Sequence, residues 1–239
     1  MKQNLLYLIL GIFLLASCQQ EELTESKDAY GYLSLRSIIA QIENVNNPAS
    51  RAALPTIDTE ALFVKICEGD KEVITYEPGE VPEQIPLPIG TYTAKAYNAA
   101  YQTYESWAED AQGEPVFYGE ETFTITADTH TEVTLEVSLY NFGITFQLGD
   151  NFGTYFKTEQ TELTLMCNGR NVTLDAGQQS STYVYFYLEE NSKLNYTLVS
   201  RNDDDETVTL SGTPEVANGK CYTLIFTFNP ESRSLSVAD

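Results

Sequence analysis

The sequence predicts an all-β protein of two tandem β-sandwich domains that follow an N-terminal export segment. Three observations carry this. Apolar and polar residues alternate in many short runs separated by Gly, Asn, Asp and Pro, which is the pattern of half-buried strands between turns. No long run keeps the 3.6-residue period of an amphipathic helix. The longest alternating run, residues 131–148, switches the parity of its apolar positions midway.

Residues 1–17 read as a lipoprotein signal peptide. Lys2 is the only charge ahead of an apolar stretch at 5–15. A basic start, about 7–15 apolar residues and small residues at the cut describe a secretory signal. Leu15-Ala16-Ser17-Cys18 is the bacterial lipobox pattern, in which the Cys becomes the first residue and carries the lipid. The alternative is an ordinary signal peptide with a chance Cys. The stretch is shorter than the roughly 20 apolar residues that span a bilayer. The expectation is a protein attached to outer-membrane lipid through Cys18 and exposed at the cell surface. Residues 18–28 are polar and read as a tether. Within it, Gln19-Gln20-Glu21-Glu22 resembles the export signal of surface lipoproteins in Bacteroidetes-type bacteria.

Thirteen basic residues face 35 acidic ones, a net charge of -22 over 239 residues. Such a chain is repelled by nucleic acid and by anionic head groups, so nucleic acid is not an expected partner. Its membrane attachment must come from the lipid. The 16 Tyr and 11 Phe place the acidity on a folded surface rather than in a disordered chain.

The first domain is read as residues 29–139. Gly31-Tyr32-Leu33-Ser34-Leu35 alternates as a first strand, and 37–45 reads as strand followed by loop. Residues 46–52 form a turn-rich break. In 61–67, Leu62, Val64 and Ile66 share one face. Residues 78–88 hold four prolines, which have no amide donor, so this is a loop or an edge. Residues 90–97 place Tyr92, Ala94 and Ala96 inward. Tyr97, Tyr101 and Tyr104 then fall at the spacing of one helical face, in a short helix or an ordered loop. Phe117-Tyr118-Gly119 leads into a strand whose inner face is Phe123, Ile125 and Ala127.

The parity switch marks the domain boundary. Val133, Leu135, Val137 and Leu139 are odd, whereas Phe142, Ile144, Phe146 and Leu148 are even. A one-residue slip turns every later side chain to the other face. One extended segment leaving one core for another explains the switch at Tyr140-Asn141, and a β-bulge within one sheet is the alternative. The second domain is read as residues 140–239. It holds strands at 163–167, 172–174, 182–188, 194–199, 207–210, 222–228 and 235–237. Asn168-Gly169 marks a hairpin. Val184, Phe186 and Leu188 lie on one face of 182–188, with Tyr183, Tyr185 and Tyr187 on the other.

Chemistry-bearing clusters are sparse. His130 is the only His and no CxxC occurs, so neither a zinc site nor another metal or cofactor is expected. Cys167 and Cys221 either pair or, with Cys67, behave as small buried thiols. Asn202-Asp203-Asp204-Asp205-Glu206 offers oxygens to calcium but lacks the Gly and distal Glu of an EF-hand loop, so a solvated hairpin tip is the stronger reading. No nucleophile elbow or phosphate loop is present, and no enzymatic activity is expected. Tyr97, Tyr101, Tyr104, Trp107, Phe117 and Tyr118 either form an aromatic platform on which a sugar could stack or cover one end of the first core.

Several stretches together resemble a family of Bacteroidetes lipoproteins of unknown function related to the fimbrillins. They are the lipobox at Cys18, Gly31-Tyr32-Leu33-Ser34-Leu35, Ser50-Arg51-Ala52, Leu87-Pro88-Ile89-Gly90-Thr91-Tyr92-Thr93-Ala94-Lys95-Ala96, Pro115-Val116-Phe117-Tyr118-Gly119 and Val137-Ser138-Leu139-Tyr140-Asn141-Phe142-Gly143-Ile144-Thr145-Phe146. Beyond Phe156 the likeness is that of a generic β domain. The resemblance implies two sandwiches of immunoglobulin- or transthyretin-like type and a role as pilus-related subunit, anchor or adhesin. It also implies that a trypsin-like protease cuts between Arg51 and Ala52. The first strand would then leave, and a neighbour's strand, here Leu235-Ser236-Val237, would fill its place. An uncut loop Arg is the alternative. Expected partners are other fimbrial subunits or a host or glycan surface.

Overall fold

The computed structural model describes residues 29–41, 43–45, 53–179, 182–232 and 234–238. The signal segment 1–17, the tether 18–28 with Cys18, and the pair Arg51 and Ala52 lie outside the described residues. The first half holds strands β1 (Tyr30–Gln41), β2 (Glu43–Val45), β3 (Phe63–Glu68), β4 (Lys71–Tyr76), β5 (Ile85–Pro88), β6 (Gly90–Tyr97), β7 (Phe117–Ile125) and β8 (His130–Leu139). Seven of them follow the order β4-β3-β6-β7-β8-β1-β5. Strands β7 and β8 pair only at Phe117–Leu139 and Tyr118–Ser138. The path therefore folds at this corner into two layers, β4-β3-β6-β7 and β8-β1-β5, around one core.

The alternation places the expected residues inside. Leu62, Val64, Ile66, Tyr92, Ala94, Ala96, Phe123 and Ile125 pack with Val133, Leu135, Val137 and Leu139. Ala127 is a correction. Strand β7 ends at Ile125, so Ala127 lies in the exposed turn to β8, where Asp128 takes φ 56°. Strand β1 also runs further than its spacing suggests. A register shift between Leu35 and Ser37 absorbs the irregular spacing, and parallel pairing with β8 continues to Gln41. The proline segment ends as edge strand β5, which pairs with β1 through Pro86 and Pro88 and buries Ile85 and Leu87. An edge strand tolerates proline because its outer side needs no donor.

The second half holds β9 (Phe142–Leu148), β10 (Glu162–Cys167), β11 (Arg170–Asp175), β12 (Val184–Phe186), β13 (Asn195–Arg201), β14 (Thr207–Gly212), β15 (Lys220–Asn229) and β16 (Ser234–Ala238), plus one helical turn, α1 (Phe152–Tyr155). One layer is β11-β10-β13-β14 and the other β12-β9-β15-β16. Phe142, Phe146, Phe152, Phe186 and Phe226 are fully buried between them. Each contributes about 1.5–3 kcal/mol relative to an exposed ring.

The even-numbered residues of β9 pack in this second core and the odd-numbered residues of β8 in the first. The two strands belong to different sheets, so the parity switch is not a bulge within one sheet. Strand pairing and core packing both cross between the halves. Strand β2 pairs in parallel with Lys220–Tyr222 of β15, although β1 belongs to the first sheet. Tyr183, Tyr185 and Cys221 come from the second half yet pack with the first core. Strand β12 is thus buried on both faces. Gly143 makes room for this. A Cβ there would stand 3.0 Å from the Tyr185 ring and 3.1 Å from Cys221 Sγ.

Cys67, Cys167 and Cys221 are buried and unpaired. The Cys167–Cys221 disulfide does not form, because Cys167 packs in the second core and Cys221 in the first. The acidic tip 202–206 is internally bonded. Asn202 Oδ1 accepts from the Asp204 and Glu206 amides, and Asp205 pairs with Lys157.

Candidate functional site

The chemistry-bearing residues gather where the two halves meet. Asn141, fully buried, ties the junction. Its Oδ1 accepts from Val116 N–H at 3.1 Å and its Nδ2 donates to Glu114 C=O at 2.9 Å. Its own C=O accepts from Gly219 N–H at 2.8 Å. The loop after Trp107 is bound to the second half at two backbone points, one on β11 and one on β12. Asn171 N–H donates to Glu109 C=O and Tyr185 N–H to Gln112 C=O, both at 2.8 Å.

Arg170, at the start of β11, closes this loop down. Its guanidinium donates to Tyr185 C=O at 2.6 Å and to Ala111 C=O. It lies 5.2 Å from the Trp107 ring centre and 4.8 Å from that of Phe186. Burial pushes the Arg170 pKa down, against a smaller opposing influence of Cys167. Gly113 lets the loop pass close to Trp107. It takes φ 72°, and a Cβ there would come within 2.7 Å of the indole.

The helical spacing of the tyrosines produces no α-helix. Residues 99–102 and 104–106 form two 3-10 turns that meet at Thr103, whose backbone (φ −126°, ψ −10°) leaves the helical region. The rings still meet. Tyr101 stacks on Tyr118 at 4.6 Å and lies 5.4 Å from Tyr97 and 5.8 Å from Tyr104. Tyr140 meets Tyr101 edge-on at 5.3 Å and stacks on Tyr187 at 5.0 Å. Aromatic pairs of this kind add about 0.5–1.5 kcal/mol beyond burial.

The expected platform therefore divides. Tyr97 and Phe117 are buried and cover the core. Tyr101 and Tyr118 are half-buried in the stacked row. Tyr104 and Trp107 instead line a groove of about 820 Å³, shared with Tyr140, Asn168, Arg170 and Tyr187. Glu105, Glu109 and Glu189 stand at the same groove. Tyr140, Tyr187, Arg170 and Glu189 join the groove without a motif that groups them in the sequence. The alternating tyrosines of 183–187 and the Tyr at the parity switch were the available signals. Burial first, then its bond to Glu105, raises the Tyr104 pKa; burial, then its bond to Glu120, does the same for Tyr118. Among the described residues no His, Cys, Asp and Glu group is arranged to hold a metal.

Three solved structures follow a similar chain path. A fimbrial assembly protein from Parabacteroides distasonis is 10% identical at TM-score 0.46, covering 88% of this chain and 98% of its own. A proposed cell adhesion protein from Bacteroides eggerthii is 10% identical at TM-score 0.45, covering 84% and 86%. A proposed polysaccharide-binding protein from Bacteroides thetaiotaomicron is 11% identical at TM-score 0.44, covering 88% and 96%. No curated protein matches the sequence. The model of a family described as a domain of unknown function, DUF4493, matches residues 29–237. That span takes in both sandwiches and the junction between them, and the chain belongs to the DUF4493 family.

Proposed function

We propose that this chain is a fimbrillin-like, lipid-anchored surface protein that acts as a pilus-related subunit, anchor or adhesin, without catalysis. The observation that supports this reading is the course of its first strand. Strand β1 lies between β8 and edge strand β5, and β2 continues beside β15 in the other sandwich. Arg51 and Ala52 follow directly, so a cut between them would release the whole of β1 and β2. Leu33, fully buried in β1, would leave an apolar slot beside two rows of unpaired backbone groups. An incoming strand would restore those bonds, and its alternate side chains would set the register.

In this reading residues 29–139 and 140–239 are the two domains, with the first strand shared between them. The lipid on Cys18 leaves with the removed piece, so cut copies are subunits and uncut copies are anchors or adhesins at the outer membrane. The C-terminal end expected as donor pairs within its own chain as β16, with Phe226 opposite Val237. It must leave β15 before it can serve a neighbour. The test is the intact mass and N-terminal sequence of the protein from its native outer membrane. A chain starting at Ala52 supports subunit assembly. A lipidated start at Cys18 supports an anchor or adhesin. An unlipidated chain with any other start overturns the reading.

A further inference from the structure

We propose that the groove at the junction of the two halves is a binding site for a neutral oligosaccharide, with Tyr104, Tyr140 and Tyr187 as its aromatic wall and Glu105 and Glu189 as acceptors for sugar hydroxyls. This goes beyond strand exchange and stands whether or not the first strand is removed. The groove's volume of about 820 Å³ lies in the usual range of small-ligand sites, about 300–1,000 Å³. Its walls come from both halves, the 3-10 turn at 104–106 with Trp107 and Glu109 on one side and the β10–β11 hairpin and the end of β12 on the other. The tyrosines offer apolar rings with polar tips, which match the C–H faces and hydroxyls of a sugar.

Charge selects the class. Glu105, Glu109 and Glu189 are exposed at the groove, in a chain of net charge -22, and repel uronates, sialic acids and sulfated sugars. The groove also contains the Arg170 guanidinium, which lies against both the Trp107 and Phe186 rings. That charge opposes a cationic ligand and occupies ring faces an ammonium group would need. A neutral polyol meets both conditions. Its hydroxyls donate to the exposed carboxylates of Glu105 and Glu189. The Tyr104 hydroxyl donates its one proton to Glu105 at 3.0 Å, which leaves its oxygen to accept from a sugar hydroxyl.

Trp107 is the only tryptophan and lines the groove, so its fluorescence reports occupancy. The full mature chain would be titrated with neutral hexasaccharides of mannose, glucose, xylose, galactose and N-acetylglucosamine. Hexagalacturonate serves as the anionic probe and hexaglucosamine as the cationic one. The expected result is a saturable emission change with at least one neutral probe and none with the charged probes. Tyr104→Ala and Glu189→Gln should each weaken that binding about tenfold or more, a loss of about 1.4 kcal/mol. Glu189 is exposed, so its variant keeps the test valid should Tyr104→Ala fail to fold. Flat emission across the neutral probes, a response to a charged probe alone, or undiminished binding by Glu189→Gln would each overturn the proposal.

Discussion

Asn141 and Val116 are joined by a buried hydrogen bond, the Asn141 Oδ1 accepting from the Val116 amide at 3.1 Å while both residues are fully enclosed. The same side chain holds the carbonyl of Glu114 through its Nδ2. One amide thus satisfies two backbone groups at the point where the chain leaves one core and enters the other.

Asn141→Ala should lower unfolding stability by at least about 1–3 kcal/mol, the cost of one orphaned buried group, because Val116 N–H and Glu114 C=O both lose their side-chain partner. Urea unfolding followed by far-UV circular dichroism measures this. Asn141→Asp should not rescue it, since a carboxylate cannot donate to Glu114. Wild-type stability in the alanine variant would mean water replaces the amide.

Arg170→Lys keeps the charge but loses the planar fork. A lysine can reach one carbonyl, whereas Arg170 reaches Tyr185 and Ala111 and lies against Trp107 and Phe186. The expected effect is a loss of about 1–3 kcal/mol and a red shift of the Trp107 emission as the loop loosens. Unchanged emission with unchanged melting temperature would refute the clamp.

Alkaline titration should destabilise the junction. Tyr104 and Tyr118 have folded pKa values raised above the ordinary value, chiefly by burial and then by their bonds to Glu105 and Glu120. The folded state then holds protons that the unfolded chain releases above about pH 10. Their favourable contribution is complete below that pH and is lost as pH rises towards their folded values. Absorbance near 295 nm, read beside a melting curve at each pH, should show a late-ionising class of tyrosine that Tyr104→Phe diminishes.

The thiols should be inert in the folded protein. Burial pushes Cys167 and Cys221 up to about 11, so little thiolate forms at pH 8. Reaction of these two with iodoacetamide should be slow natively and fast in 6 M urea, with their peptide masses showing no disulfide between them. A Cys167–Cys221 crosslink in the native protein would contradict the separation of the two cores.

The alternation of β3, β6, β8 and β9 was legible residue by residue, because a half-buried strand records its inner face in every second position. The Asn168-Gly169 turn was equally legible. Both residues take positive φ, 48° and 77°, and this pair tolerates that geometry at low cost. Pairing across distance was not legible. Nothing local to Glu43–Val45 indicates that it lies beside Lys220–Tyr222. Tyr183 and Tyr185 read as the face opposite Val184 and Phe186, and only docking against the first core shows that this face is buried too.

By itself the sequence determined the strand periods, the turns, the parity switch at Tyr140-Asn141 and the acidity of the surface, all of which depend on neighbouring residues or on composition. Only the tertiary structure decided that two residues 63 positions apart, Trp107 and Arg170, share a clamp. It alone brought Tyr187 onto Tyr140 and kept Cys167 from Cys221. The physical reason is that a groove or a junction is made by packing whole sheets, and the order in which sheets stack is set by the summed burial of many side chains rather than by any one stretch.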